Sequence, residues 1–152
     1  TDEQIICHID KLDNTDHFSQ EEWKKLLYPA CANADTNILK YILSKLITIN
    51  NVKELIEHTV RFRNTNTGYE KKQVEVLTIL MSYIEENKKT EVLNEALVLS
   101  AWFGEVEALK YLIDMGADKN YVDAQGRSLR ELSKNAADKF NDYRVSDYLQ
   151  SI

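Results

Sequence analysis

The sequence contains few of the residues that interrupt regular secondary structure, with four Gly and one Pro among 152 residues. A sandwich or barrel of many short strands needs a turn at almost every strand end, so this composition argues against such folds. Hydrophobic residues make up 43% and charged residues 29% of the chain, which is typical of a globular protein. The length predicts a single domain or one array of repeats, spanning residues 1–152.

Cysteines are few, and long apolar runs and an excess of positive charge are missing. Cys7 and Cys31 form neither a CxxC pair nor a disulfide framework, so we expect a reducing, cytoplasmic location. The longest uncharged apolar runs, residues 76–84 and 96–104, have about half the length that a membrane-spanning helix needs. The net charge of −6 opposes general binding to nucleic acid or anionic lipid. We therefore expect neither nucleic acid nor membrane as a partner.

Motifs that carry catalysis or hold metals are absent from the sequence. It has no nucleophile elbow, Gly-rich phosphate loop, HExxH or CxxC pattern, so we expect no enzyme activity and no cofactor. One N-terminal cluster has metal-ligating residue types, but its Asp residues recur at every third position. Calcium loops need oxygen ligands at alternate positions and a Gly, so we expect no metal there. The cluster comprises Cys7, His8, Asp10, Asp13, Asp16 and His17.

Basic and aromatic residues are interleaved between positions 61 and 72. Such a mixture suits single-stranded nucleic acid, whose bases stack on aromatic rings. Four cations in an acidic chain are more often a solvated surface, and we favour that interpretation. A lone His in the preceding helix is interpreted as structural or solvent-facing. The residues concerned are Arg61, Phe62, Arg63, Tyr69, Lys71, Lys72 and, for the lone His, His58.

The clearest helix start lies near Ser19. Ser19 and Glu22 form a capping-box pattern, in which each side chain can bond to the backbone of the other residue. Phe18 and Trp23 occupy the flanking positions of a hydrophobic staple. We expect Pro29 to kink or end this helix, because proline lacks the amide donor and its ring clashes with the preceding turn.

Apolar residues recur at helical spacing through most of the remaining chain, which predicts an all-α fold. Residues 63–68 are expected to form a loop, and the charged residues 85–90 are expected to interrupt the helical pattern. Gly104 and Gly116 are expected at helix ends. Helices are predicted after Asp35, after Asn51, from about Glu70, over residues 92–103, from about Val106, and in two stretches after a second capping box at Ser128 and Glu131.

The apolar positions repeat when the chain is shifted on itself. A shift of 38 residues places Leu39, Ile42 and Leu43 on Leu77, Leu80 and Met81. A further shift of 32 residues reaches Leu109, Leu112 and Ile113. Each unit has the length of one helical hairpin, which is too small to bury its own apolar face. Stacking such hairpins side by side would bury those faces.

The most regular unit resembles the ankyrin repeat. Residues 95–101 occupy the place of the family's T-P-L-H-x-A signature, Trp102-Phe103-Gly104 the turn between two helices, and residues 109–113 the second helix. Residues 116–127, which begin Gly-Ala-Asp, are very similar to the family's inter-repeat finger. From Glu95 to its counterpart Ser128 is 33 residues, the family period. The resemblance is strongest over about residues 92–134.

The resemblance implies an α-solenoid of stacked helix-turn-helix repeats, with a capping segment at residues 1–19 and units at about 20–49, 50–90, 91–123 and 124–152. It implies a module that is monomeric when free and binds another protein through its concave face and finger turns. Trp102 also has an alternative interpretation as a structural residue that fills the space between helices. The positions that the resemblance makes variable and partner-contacting are Trp102, Phe103, Tyr121, Val122, Ala124, Gln125 and Arg127.

Two further hypotheses concern the setting of such a module. It could instead recruit the substrate of a larger multidomain enzyme whose catalytic domain lies outside these residues. The abundance of Lys, Ile and Asn is typical of AT-rich genomes, such as those of intracellular bacteria and large viruses. These organisms use ankyrin-type proteins as effectors, so a pathogen effector acting in the host cytoplasm is one hypothesis.

The sequence makes one direct prediction about the purified protein. Because both capping boxes and the apolar spacing favour helices, we expect a far-UV circular dichroism spectrum with strong minima at about 208 and 222 nm. A spectrum dominated by the single minimum of β-sheet would contradict the all-α prediction.

Overall fold

A computed structural model describes the backbone of residues 1–16 and 18–152, and the side chains of all these residues except 9, 10 and 12–16. Within this part of the chain the structure is all-α, as predicted, with no strand beyond an isolated bridge between Val122 and Ser128. None of its helices is long and apolar enough to cross a membrane. The helices are α1 (Asp2–Asp16), α2 (Gln20–Ala32), α3 (Thr36–Lys45), α4 (Val52–Arg61), α5 (Tyr69–Met81), α6 (Glu86–Phe103), α7 (Val106–Asp114), α8 (Leu129–Phe140) and α9 (Arg144–Ser151).

Helices α2 to α9 pack as four successive hairpins. The two helices of each hairpin contact each other: α2 with α3, α4 with α5, α6 with α7, and α8 with α9. Between hairpins, α2, α4, α6 and α8 contact one another in that order, and so do α3, α5, α7 and α9. We call these the first-helix row and the second-helix row. Helix α1 precedes the hairpins and packs on α3.

One continuous apolar cluster joins helices α2 to α9. It is built from the residues whose spacing predicted the helices, including Leu39 and Ile42 in α3, Leu77 in α5, and Leu109 in α7, each no more than 1% exposed. Burying one such Leu or Ile side chain contributes about 1.5–3 kcal/mol to stability. Because no single hairpin could enclose these side chains, the stacking of hairpins is what buries them.

Both predicted capping boxes are present. The Ser19 hydroxyl accepts from the Glu22 amide at 3.2 Å, and the Glu22 carboxylate accepts from the Ser19 amide at 2.7 Å. Ser128 and Glu131 repeat the arrangement at 3.3 and 2.7 Å. The Phe18 and Trp23 rings meet edge to face, 5.1 Å between centroids, as a hydrophobic staple requires.

The structure corrects two of the predicted helix limits. Helix α2 does not end at Pro29 but continues to Ala32, because Ala30 and Cys31 anchor its last turn in the core. The charged residues 85–90 do not interrupt the helical pattern either, since α6 begins at Glu86. Lys88 pairs with Glu85 at 3.1 Å and Lys89 with Glu86 at 2.9 Å, so this first part of α6 is a solvated helix stabilised by local ion pairs.

Gly104 is needed where α6 reverses into α7. Its φ of +77° lies in the left-handed region. A Cβ at this position would lie 2.7 Å from Nη1 of Arg63 and 2.8 Å from Cβ of Ala136. Gly126 has nearly the same φ, +75°, but nothing within 4 Å of the place of its Cβ. The two glycines therefore share a backbone requirement and differ in the space around them.

We predict that Gly104→Ala destabilises the protein more than Gly126→Ala does. Both variants should lose about 1–2 kcal/mol because an L-residue is strained at positive φ. Gly104→Ala should lose at least about 1 kcal/mol more, because the new methyl group overlaps Arg63 and Ala136. Urea unfolding of the two variants measures the difference, and equal losses would contradict the close approach of Arg63.

Candidate functional site

Five of the seven sequence-predicted contact residues converge on one groove, which we call the Trp102 groove. It has a volume of about 440 Å³. The last turns of α6 form one side of it and the turn between α7 and α8 the other, while α4 and α8 contribute its ends. Its lining residues are Arg61, Val98, Leu99, Trp102, Phe103, Asp123, Ala124, Gln125, Arg127 and Leu132.

The other two predicted residues lie outside the Trp102 groove. Tyr121 lines a separate cavity of about 330 Å³ beside Leu149 and Ile152. Val122 is 48% exposed and lines neither cavity. Trp102 and Phe103 also differ from the expected turn position, since they are the last two residues of α6.

Asp123 organises the turn that forms one side of the Trp102 groove. Its Oδ1 accepts from the amides of Gln125 at 3.0 Å and Arg127 at 2.8 Å, and its Oδ2 accepts from Nε of Arg127 at 2.7 Å. Burial tends to raise the pKa of Asp123, but these hydrogen bonds outweigh it and hold the pKa below its ordinary value. The exposed Arg127 side chain is therefore fixed by its own turn.

Two cations lie near the Trp102 ring, one of which, Arg127, also lines the groove. The guanidinium of Arg127 is 5.1 Å from the indole centroid, and the ammonium of Lys139 is 6.0 Å from it. The Trp102 carbonyl accepts from Nδ2 of Asn135 at 2.8 Å. The ring is half-buried and packs against the core, so part of its surface is structural and part faces the groove. The arrangement presents an aromatic face flanked by positive charge.

A larger cavity, of about 830 Å³, lies where the loop of residues 63–68 meets α5, the start of α7 and the start of α9. We call it the loop cavity. Arg63 forms its inner edge: Nη1 donates to the Phe103 carbonyl at 2.7 Å and Nη2 to Asp142 at 2.8 Å. Arg144 donates to the same Asp142 carboxylate at 2.8 Å and to Glu70 at 2.6 Å.

These two arginines decide the charge of Asp142. The hydrogen bond from Arg144 is the largest influence on its pKa, and with the bond from Arg63 it outweighs burial, so the pKa of Asp142 lies well below its ordinary value. Asp142 is therefore ionised at neutral pH and holds the turn between α8 and α9 against the loop of residues 63–68.

Glu105 also lies at the loop cavity, but burial rather than hydrogen bonding dominates its pKa. It precedes α7, its side chain is among the cavity lining, and the residue is 4% exposed. Burial raises the pKa of Glu105 to about 7, and the nearby charge of Arg63 offsets this only in part. The carboxyl group therefore keeps its proton to a higher pH than an exposed glutamate does.

The interleaved basic and aromatic residues around position 65 do not form one surface. Arg61 lines the Trp102 groove, whereas Arg63 and Lys71 line the loop cavity. Tyr69 is buried, and its hydroxyl donates to the carbonyls of Ala32 at 2.8 Å and Phe62 at 3.1 Å. Burial raises the pKa of this phenol to about 12.

The candidate metal cluster has only two members with described side chains, Cys7 and His8. The side chains of Asp10, Asp13 and Asp16 and the whole of His17 lie outside the described part of the chain. Elsewhere in the described chain, no three His, Cys, Asp or Glu side chains are grouped so that they could hold a metal ion. His58 lies between two rings, 5.3 Å from Tyr28 and 4.5 Å from Phe62.

The chain matches no protein-family model, and no curated protein matches it. Arg63, Glu105, Asp142 and Arg144 were not among the predicted site residues. Arg63 lies 40 residues from its partner Phe103 and 79 from Asp142, and Arg144 lies 74 residues from Glu70, so no local motif relates these positions.

We predict that Glu105 makes stability fall as the pH rises. The pKa of Glu105 is higher in the folded protein, about 7, than its ordinary value of 4.5, so folded chains bind this proton more tightly. Its contribution is present below pH 4.5 and lost by about pH 7, and the full difference corresponds to roughly 3 kcal/mol. Glu105→Gln should therefore resemble the parent at pH 4.5 and be more stable at pH 8.

Urea unfolding at the two pH values measures this effect. Glu107→Gln is the matched control, because Glu107 lines the same cavity with its side chain 46% exposed and should change stability by less than about 0.5 kcal/mol. If Glu105→Gln changed stability equally at both pH values, Glu105 would not be the titrating group.

Proposed function

We propose that the chain is a non-catalytic protein-binding module, built as a solenoid of ankyrin-like helical hairpins, whose partner occupies the Trp102 groove. The supporting observation is the groove itself, in which Trp102 and Arg127 lie side by side on an open surface. Aromatic residues and arginine are the types that most often dominate protein interfaces.

The arrangement of hairpins supports the solenoid part of this proposal. Each hairpin packs on the next through both rows, as expected of stacked repeats. The turn that closes the Trp102 groove corresponds to the finger of the ankyrin pattern, with a bridge between Val122 and Ser128 and a tight turn from Asp123 to Gly126. In this proposal the boundary between the second and third units lies at Glu85, because α6 begins at the next residue.

The rigidity of the groove supports binding without a large rearrangement. Arg127 is held by Asp123, Trp102 by its contact with the core, and the α6 end by the bond from Asn135. Side chains that are already fixed lose less conformational entropy when a partner binds. A preformed surface of this kind suits recognition of a folded protein or an extended peptide segment.

We predict that three substitutions in the Trp102 groove weaken partner binding. A random 12-residue peptide library is selected on the immobilised protein, and the affinity of the recovered peptides is measured by calorimetry. Trp102→Ala and Arg127→Ala should each weaken binding at least tenfold, equivalent to about 1.4 kcal/mol. Ala124→Arg should also weaken it, because Ala124 is exposed and the longer side chain would fill the groove.

Two controls separate binding from folding. Ser82→Arg adds the same side chain at an exposed site away from the groove, and Tyr83→Ala removes an exposed aromatic ring, so both should bind as the parent does. If Trp102→Ala lowers the melting temperature sharply while Arg127→Ala and Ala124→Arg bind normally, Trp102 is structural and the proposed surface is wrong.

A further inference from the structure

The loop cavity contains a buried carboxylate that no group of the described chain neutralises by a hydrogen bond. Glu105 is 4% exposed and lines the cavity, yet none of the hydrogen bonds or ion pairs of the described residues involves its carboxylate. Buried polar groups are nearly always bonded, since burial without a partner is costly. The carboxylate oxygens of Glu105 are not among the side-chain atoms that are sealed from solvent without a partner. They are therefore open to the cavity, and a donor that enters the cavity can reach them.

The cations nearest to Glu105 are committed to other groups. Arg63 donates to the Phe103 carbonyl and to Asp142, and its guanidinium stacks 4.3 Å from the Phe140 ring. Arg144 is divided between Asp142 and Glu70. Both guanidinium groups are thus fixed, and neither bonds to Glu105.

The charge of the cavity lining selects the sign of a ligand. Glu70, Glu75, Glu105 and Glu107 line the cavity, against the cations Arg63, Lys71 and Arg144. Asp142, which is not itself a lining residue, pairs with both Arg63 and Arg144 and so neutralises much of their charge. An anion entering this space would meet Glu105 without compensation, whereas a cation would satisfy it.

The size and composition of the cavity favour an organic cation with a short apolar stem. Its volume of about 830 Å³ lies within the range of small-molecule sites. Val74 offers an apolar contact, and the loop of residues 63–68 offers hydroxyl and amide oxygens as further acceptors for an ammonium group. A lysine-sized side chain has these two properties.

We propose that the loop cavity is a binding site for an alkylammonium or guanidinium group, either a free amine or a basic side chain, with Glu105 as its principal counter-ion. This site is separate from the Trp102 groove and does not depend on the protein-binding function. A bound cation would hydrogen-bond to the ionised carboxylate and so reverse the effect of burial on the pKa of Glu105.

The test is a nuclear magnetic resonance titration at pH 8, where Glu105 is ionised. The probes are N-acetyl-lysine methylamide, N-acetyl-arginine methylamide and n-butylamine, with the neutral N-acetyl-norleucine methylamide for comparison. We expect saturable shifts of the amide signals of residues 63–68 and 105 with the cations and none with the norleucine derivative. Tighter binding of the amino-acid derivatives than of butylamine would identify the ligand as a basic side chain, and the reverse order as a free amine.

Two variants make the titration decisive. Glu105→Gln keeps the shape of the side chain and removes its charge, and we expect it to bind the cations at least tenfold more weakly. Glu107→Gln, at the same cavity but half-exposed, should bind within about threefold of the parent. Equal binding by Glu105→Gln and the parent, equal binding of the norleucine derivative, or no saturable binding of any cation would each overturn the proposal.

Discussion

The guanidinium of Arg63 joins parts of three hairpins that are distant in the sequence. It follows α4, bonds to the carbonyl of Phe103 at the end of α6, and pairs with Asp142 between α8 and α9. Its path to Phe103 runs over Gly104, where a side chain would collide with it. This one side chain thus contacts the reversal from α6 to α7 and the turn of the last hairpin, and it fixes the start of the loop of residues 63–68 against both.

The same side chain connects the two candidate sites without belonging to both. On one side it bonds to the carbonyl of Phe103, whose neighbour Trp102 faces the groove. On the other side it borders the loop cavity and lies near Glu105, where its charge only partly offsets the cost of burial. Arg63 and Arg144 both bond to Asp142, and neither donates to Glu105, whose carboxylate is left facing the cavity.

The sequence predicted the features that depend on neighbouring residues. Capping boxes at Ser19 and Ser128 and the spacing of the apolar core residues located most helices, since both signals act within one or two turns. Pro29 was expected to kink or end α2 because local propensity disfavours proline there, but α2 continues past it to Ala32, with Ala30 and Cys31 packed in the core. The sequence did not predict the first turns of α6, because their charged residues show no apolar periodicity.

The two candidate sites also differ in whether their residues are close together in the sequence. Residues of the Trp102 groove could be predicted because they belong to a turn and a helix end that are close in sequence. Tyr121 and Val122, from the same turn, lie outside the groove. The environment of Glu105 arises from groups brought together by folding, among them Arg63, Glu70, Asp142 and Arg144. No spacing rule within the chain relates these positions, so the loop cavity could not be predicted.

Stacked hairpins that contact only their neighbours can open one at a time from either end. Arg63 departs from that pattern, because it ties the second hairpin directly to the fourth through Asp142. Opening the last hairpin would break this bond and further expose a partly buried cation two hairpins away. The second and the fourth hairpin are therefore expected to exchange their amide protons as one cooperative unit, while α1, which packs on α3, exchanges independently of them.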